Sequence, residues 1–315
     1  MTRTHGGDDY HLAVLVEEVV RCFEGAPEGE IFDGTLGAGG HAEALLDAYP
    51  ACRVLGVDRD PEALAEARAR LGRFGDRVRI LHARFDEAAV AAGLTGPTLS
   101  GALLDLGISS HQIDEAERGF TFREGAPLDM RMEGAESGAG TAADLLNEWE
   151  EDRISRLLRS YGDEPRSRAI AREIVKRRAE RPMERTEDLL AAIEAVYRRP
   201  PMAKEKARVF QALRIEVNDE LGALERALPA LRDALLPGGA FVVLSYHSLE
   251  DRRVKNAFRE WSRACTCPPE IPVCVCRGEP LGTLLTRSIV RPSDAEIGAN
   301  PRARSARLRA WRKAA

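Results

Sequence analysis

The sequence predicts an α/β protein: a mostly parallel, Rossmann-like sheet interrupted by an all-helical insertion. Three observations predict it. Short apolar runs alternate with helix-period segments through the first third of the chain. A glycine-dense stretch, "DGTLGAGGH", stands between the first of those runs and the helix after it. From about Ile113 to Arg214 there are few strand-like runs, and strand-then-helix patterning returns at "PGGAFVVLSYHSLEDRRVKNAF". Strands alternating with helices at this spacing place parallel strands side by side with helices on both faces.

In order, "LAVLVEEVVRCF" has the apolar spacing of a helix, and "EIFDG" is a short strand ending at Asp33 and Gly34. "HAEALLDAY" reads as a helix and "RVLGVDRD" as a strand ending at Asp58. "PEALAEARARL" is a helix with Pro61 in its first turn, where the missing N–H costs nothing. "RVRILHARF" and "SGALLDLG" are two more strands, separated by the Ala-rich "DEAAVAAG". Then come helices by period: "TAADLLNEW", "EDRISRLLRSYG", "PRSRAIAREIVKRRAE", "RTEDLLAAIEAVYRR" and one long run from Ala203 to Leu236. Thr186 with Glu187 and Asp188 marks a helix start. "TRSIV" and "ARLRAWRK" form an expected terminal strand pair. The expected division is residues 1–112 as the first part of the core, 113–215 as the helical insertion and 216–315 as the second part, with a Cys-rich loop at 265–276.

At 315 residues with 44% apolar content, the chain can build a sizeable core. No apolar run approaches the ~20 residues of a membrane span, so no membrane partner is expected. Neither a secretory leader nor a disulfide framework is indicated, which makes a cytoplasmic location the expectation. The net charge of −5 hides an asymmetry. Residues 153–214 carry 17 Lys/Arg against 9 Asp/Glu, and residues 277–315 carry 9 against 3. Two basic segments on an acidic body suit either a polyanion-facing surface or ordinary solvated helix faces.

The glycine stretch narrows the chemistry. Gly34, Gly37, Gly39 and Gly40 allow positive φ and a close backbone approach to a ligand. Asp58 closes the next strand, where a carboxylate can accept from both hydroxyls of an adenosine ribose. That pairing serves NAD, FAD and S-adenosylmethionine alike. A dinucleotide loop reads G-x-G-x-x-G for a pyrophosphate on the helix start. Here the spacing is G-x-x-G-x-G-G-H with Asp33 before it, and a carboxylate there would repel pyrophosphate but attract a sulfonium or ammonium. In "LLDLGISSHQ", Asp105 ends the fourth strand, and ligands of open parallel sheets bind beyond such ends.

Together "DGTLGAGGH", "GVDRDP", "LLDLGISSHQ", "AERGFTF", "PLDMRM", "VFQALRIEVNDEL", "LSYHSLEDR" and "NPRARSARLR" resemble the bacterial 16S rRNA cytosine-N4 methyltransferases, the MraW (RsmH) family, from about His11 to Arg312. The resemblance implies a class I S-adenosylmethionine-dependent methyltransferase sheet with an inserted helical domain. It implies N4-methylation of a specific cytidine in the decoding centre (P-site region) of 16S rRNA within the small ribosomal subunit. S-adenosylmethionine is the implied cofactor, with contacts from Gly39, Gly40, His41, Asp58, Phe85, Asp105 and Gln112. Asp105, Ser109 and His247 are the candidate catalytic residues, although "DLGIS" lacks the prolines and aromatic of the common amino-methyltransferase motif. His247 is either a proton relay or a packed, hydrogen-bonded ring. A homodimer is left open. A nicotinamide oxidoreductase, a non-enzymatic ribosome assembly factor and a methyltransferase for another nucleic-acid amine are the competing classes.

No metal is assigned, but "CTCPPEIPVCVC" sets Cys265, Cys267, Cys274 and Cys276 as C-x-C-x6-C-x-C, a zinc candidate. Structural zinc binds tightly enough to survive purification. Metal analysis of protein isolated without a metal-affinity step therefore decides: close to one equivalent of zinc supports the site, and under ~0.1 equivalent rejects it.

Overall fold

The computed structural model describes residues 13–88, 96–134, 137–265, 267 and 278–315. The chain divides into two compact units, residues 1–107 with 222–315 and residues 108–221. In chain order the elements begin with α1 (Val16–Cys22), β1 (Glu30–Asp33), α2 (Gly40–Ala48), β2 (Arg53–Asp58), α3 (Pro61–Leu71), β3 (Val78–His82) and β4 (Leu99–Asp105). There follow α4 (Ser110–Asp114), α5 (Ala142–Glu148), α6 (Glu151–Gly162), α7 (Ser167–Arg178), α8 (Thr186–Tyr197), α9 (Ala203–Val217) and α10 (Glu220–Ala234). The chain ends with β5 (Leu235–Ser245), α11 (Ser248–Trp261), β6 (Gly282–Leu284), α12 (Asp294–Ala299) and β7 (Arg307–Lys313).

The first unit is a seven-stranded sheet in the order β3-β2-β1-β4-β5-β7-β6. β1 to β5 run parallel, while β7 pairs antiparallel with β5 and β6. Both faces are covered, which explains why the inner strands read as continuous apolar runs rather than alternating ones. Successive strand residues point to opposite faces. Ile31, Leu103 and Val242 accordingly pack with α1, α2 and α3 through Val19, Leu45 and Leu64. Phe32, Leu104 and Val243 pack on the other side with Leu228 of α10 and Phe258 and Trp261 of α11. At the start of α3 the Asp60 carboxylate accepts the Glu62 N–H (3.1 Å), with Pro61 in the first turn.

The second unit is helical around its own core of Leu146, Ile154, Leu158, Ile170, Ile174, Leu189, Ile193, Val209 and Leu213. At the start of α8, Asp188 accepts the Arg185 N–H (2.9 Å).

Two sequence expectations are corrected. The single helix over 203–236 is two, α9 and α10, and its last residues, Leu235 and Leu236, open β5. The break has a polar cause. The buried Asn218 amide donates to the carbonyls of Met130 (2.7 Å) and Arg214 (2.9 Å), and its oxygen accepts the Met132 N–H (2.9 Å). Asp219 then takes a left-handed φ of 49°. The strand expected at "TRSIV" lies earlier, as β6. Thr286 leaves the ladder because its hydroxyl takes the Ala310 N–H (2.9 Å), and only Val290 returns, as an isolated bridge to Leu308. β6 itself begins on a glycine because a Cβ at Gly282 would fall 2.3 Å from the Trp311 ring. The "DEAAVAAG" segment lies outside the described residues beyond Ala88.

Trp311 is fully buried, its ring 5.2 Å from that of Trp261 and 6.3 Å from that of Phe258, with its N–H on Ser262 Oγ (3.1 Å). Trp311→Ala should cost roughly 3–5 kcal/mol of stability. A urea midpoint equal to wild type would contradict this packing.

Candidate active site

β1, β2 and β4 are neighbours in the sheet, and each ends on an aspartate: Asp33, Asp58 and Asp105. Three carboxylates therefore share the carboxyl edge, where open α/β sheets bind ligands. The glycine loop rises from the middle one. Gly37, at φ +52°, donates its N–H to Asp58 Oδ2 (2.8 Å), and Asp58 Oδ1 accepts from Asp60 N–H (2.9 Å). Each Asp58 oxygen keeps a further lone pair for a ribose hydroxyl. Gly39, at φ +85°, caps α2, and a Cβ there would press on the Leu71 side chain at 3.0 Å. A Cβ on Gly40 would lie 3.0 Å from that of Ala13.

Burial makes these charges costly. Asp33 is 1% exposed, and its carboxyl pKa is pushed up to about 7. Desolvation is the main cause; His41 and the Thr35 N–H oppose it, and the charges on Asp105 and Asp58 add to it. Asp58 is likewise raised, chiefly by burial, against the hydrogen bonds from the Asp60 and Gly37 N–H groups. Burial depresses the His41 imidazole, but Asp105 and Asp33 outweigh it and hold its pKa above the ordinary value.

Asp105 is the hub. Its N–H donates to Thr35 Oγ1 (2.6 Å), its Oδ1 accepts the Tyr246 hydroxyl (2.9 Å), and its Oδ2 stands 3.4 Å from His41 Nε2. Its side chain stays 22% exposed, so a ligand can reach it. Burial and the Asp105 charge push the Tyr246 hydroxyl well above the usual phenol range, which keeps it a donor. Neither Thr35 nor Tyr246 is singled out by sequence reasoning. Their signals were their places, Thr35 inside the glycine loop and Tyr246 beside His247 at the end of β5.

The remaining expected residues divide. Phe85 follows β3 and packs partly buried with Leu81 beside the loop, close enough that a Cβ on Gly34 would lie 2.9 Å from its own. His247 is the N-cap of α11: its Nδ1 accepts from the Glu250 N–H (3.4 Å) and Glu250 Oε2 accepts the His247 N–H (3.2 Å). Ser109 and Gln112 belong to the second unit, where Ser109 Oγ accepts the Gln112 N–H and Gln112 Oε1 accepts the Ser109 N–H, both at 3.1 Å, at the start of α4. Of the cysteines, Cys265 is exposed and Cys267 half-buried. Cys274 and Cys276 lie outside the described residues.

The first unit thus gathers Gly39, Gly40, His41, Asp58 and Asp105 on one edge. His41 Nδ1 is buried there without a hydrogen-bond partner among the described residues. A glycine cradle, an orphaned imidazole nitrogen and buried carboxylates raised in pKa fit a ligand that is cationic and carries a ribose. They do not fit a pyrophosphate, which would add charge of the sign already crowded there.

This strand order, with its single antiparallel strand and this edge, defines a class I S-adenosylmethionine-dependent methyltransferase fold. A family model described as the MraW methylase family matches residues 8–314. "Ribosomal RNA small subunit methyltransferase H" of Gemmatimonas aurantiaca is 53% identical over 307 residues, spanning 97% of this chain and 96% of its own length. Its namesake in Heliobacterium modesticaldum is 51% identical over 313 residues, spanning 96% and 98%. The chain belongs to the MraW methylase family.

A carboxyl raised to about 7 binds more protons folded than unfolded between pH 3.8 and that value, so it removes stability as pH rises through the window. Asp33→Asn lacks this penalty. Its melting temperature, without cofactor, should match wild type near pH 4 and exceed it increasingly up to pH 8. A difference that does not vary with pH would contradict the buried-carboxylate account.

Proposed function

We propose that the chain transfers a methyl group from S-adenosylmethionine to N4 of a cytidine in the decoding centre of 16S rRNA, within the small ribosomal subunit. The observation that carries this is Asp105, its backbone N–H held by Thr35 and its carboxylate by Tyr246, on the same strand-end edge as Asp33 and Asp58. The family membership and the small-subunit rRNA named for the relatives support the substrate class.

S-adenosylmethionine, when bound, supplies an electrophilic methyl on a sulfonium. Asp58 would hold its ribose hydroxyls, and Asp33 would face its positive charge. Gly39, Gly40 and His41 would lie along it where a side chain at either glycine would intrude. An exocyclic cytosine amine is a poor nucleophile, because its lone pair is delocalised into the ring. The protein's task is therefore orientation and fixed electrostatics. An ionised carboxylate offers about four lone-pair positions. Tyr246 and His41 face one oxygen each, which leaves positions on Asp105 for an amine N–H. Holding that N–H turns the nitrogen toward the methyl and stabilises positive charge as it grows there. The proton released afterwards is acidic enough to pass to water, so no dedicated base is required. Tyr246 is a positioning residue that acts through Asp105. His247 acts through the start of α11, and Ser109 through α4.

Asp105→Asn should lower methyl transfer to small subunits by roughly 100-fold or more. S-adenosylmethionine affinity measured by calorimetry should change far less. Tyr246→Phe should lower kcat by about tenfold, the scale of one hydrogen bond to a charged group. Near-native turnover of Asp105→Asn would overturn the role given to it.

A further inference from the structure

The second unit carries a cleft of about 350 Å³ lined by Arg159, Pro165, Arg166, Ser167, Arg168 and Ala169. It sits at the start of α7, a twelve-residue helix with no side-chain cap and no acidic residue in its first turn. The first N–H groups of a helix lack intrahelical partners and carry partial positive charge. Here Ser167 N–H reaches the Glu164 carbonyl (3.2 Å), while those of Arg168 and Ala169 meet no acceptor among the described residues.

A second observation is independent of the helix end. Ser167 is only 2% exposed, lines the cleft, and its hydroxyl makes no hydrogen bond among the described residues. The hydroxyl is therefore free to meet a ligand that enters the cleft. The arginines agree with the sign. Arg159 and Arg168 make no ion pair or hydrogen bond among the described residues, although the unit holds many carboxylates. Arg166 is fixed in the wall, donating to the Val196 carbonyl (2.9 Å) with its guanidinium 4.5 Å from the centre of the Tyr197 ring. The nearby buried carboxylate, Glu164, does not line the cleft and accepts from Tyr197 Oη (2.7 Å) and Arg166 N–H (2.9 Å).

We propose that this cleft is a phosphate-binding site that holds one backbone phosphodiester of the RNA substrate. It rests on the rRNA methylation reading above and adds a specific contact point to it. Two oxygens of the diester would meet the Arg168 and Ala169 N–H groups and the Ser167 hydroxyl. Arg159 and Arg168 would flank it, and Arg166 would form the floor. Such a contact fixes register without reading sequence.

The test uses the full chain and its Arg159→Ala, Arg168→Ala and Ser167→Ala variants. Binding to small-subunit rRNA is measured across a salt series. Each arginine variant should weaken binding roughly tenfold and reduce the slope of log affinity against log salt by about 0.7–1, the share of one phosphate contact. Ser167→Ala should weaken binding without changing the slope. S-adenosylmethionine affinity and melting temperature should hold in all three. Wild-type affinity and slope in both arginine variants would overturn the proposal. Inorganic phosphate, followed by amide NMR shifts at Ser167, Arg168 and Ala169, separates the sources. Shifts with phosphate alone, and no effect of the variants on RNA binding, would make this a free-anion site and overturn the RNA contact. A wild type that fails to methylate small subunits, yet binds RNA with arginine-dependent salt slopes, would sink the methylation reading and leave the phosphate site standing.

Discussion

Three carboxylates share one edge of a sheet, and the burial of the middle one, Asp33, is the constraint around which the rest of the first unit is arranged. At Asp33 the carboxyl pKa is raised to about 7, chiefly by burial, with the charges on Asp105 and Asp58 adding to it. Each unit of such a shift is worth about 1.4 kcal/mol, so the edge lowers the stability of the ligand-free fold. A cation placed among the three reverses the sign of that interaction. Under the proposed function, the same charges favour a sulfonium over a phosphate. Sites for catalysis commonly hold such destabilised groups, and the sheet's two apolar faces supply the stability that permits it.

The edge is rigid because backbone and side chains tie neighbouring loops to it. Gly37 binds the glycine loop to Asp58, Thr35 binds it to Asp105, and Tyr246 joins Asp105 to the end of β5. Asp105 therefore has little freedom of its own. Under the proposed function, a carboxylate held this way needs no reorganisation as charge develops on the substrate nitrogen, which is where electrostatic catalysis gains most. His247, two residues past the end of β5, caps the start of α11.

Much of the first unit was legible because its signals are local. Pro61 after Asp60 fixed the start of α3, and the glycine loop with Asp58 announced a nucleoside-type ligand. What was hidden depends on distant partners. The break between α9 and α10 needs Asn218 to find Met130 and Met132, residues more than 80 positions earlier. β6 needs Gly282 to lie against Trp311, and "TRSIV" fails as a strand because Thr286 satisfies Ala310 with a side chain. Tyr246 and Thr35 escaped notice for the same reason: their importance is a contact with Asp105, not a pattern in the chain. The cleft at α7 was visible only as arginine content, because charge counts do not show which arginines lack partners.

The most direct measurement is mass spectrometry of small-subunit rRNA from cells with and without this protein, with the Asp105→Asn variant supplied to the latter. An N4-methyl on one decoding-centre cytidine should disappear with the protein, return with the wild-type chain and stay absent with the variant. An unchanged methylation pattern in cells lacking the protein would contradict the assignment of the buried carboxylate edge to cytidine methylation.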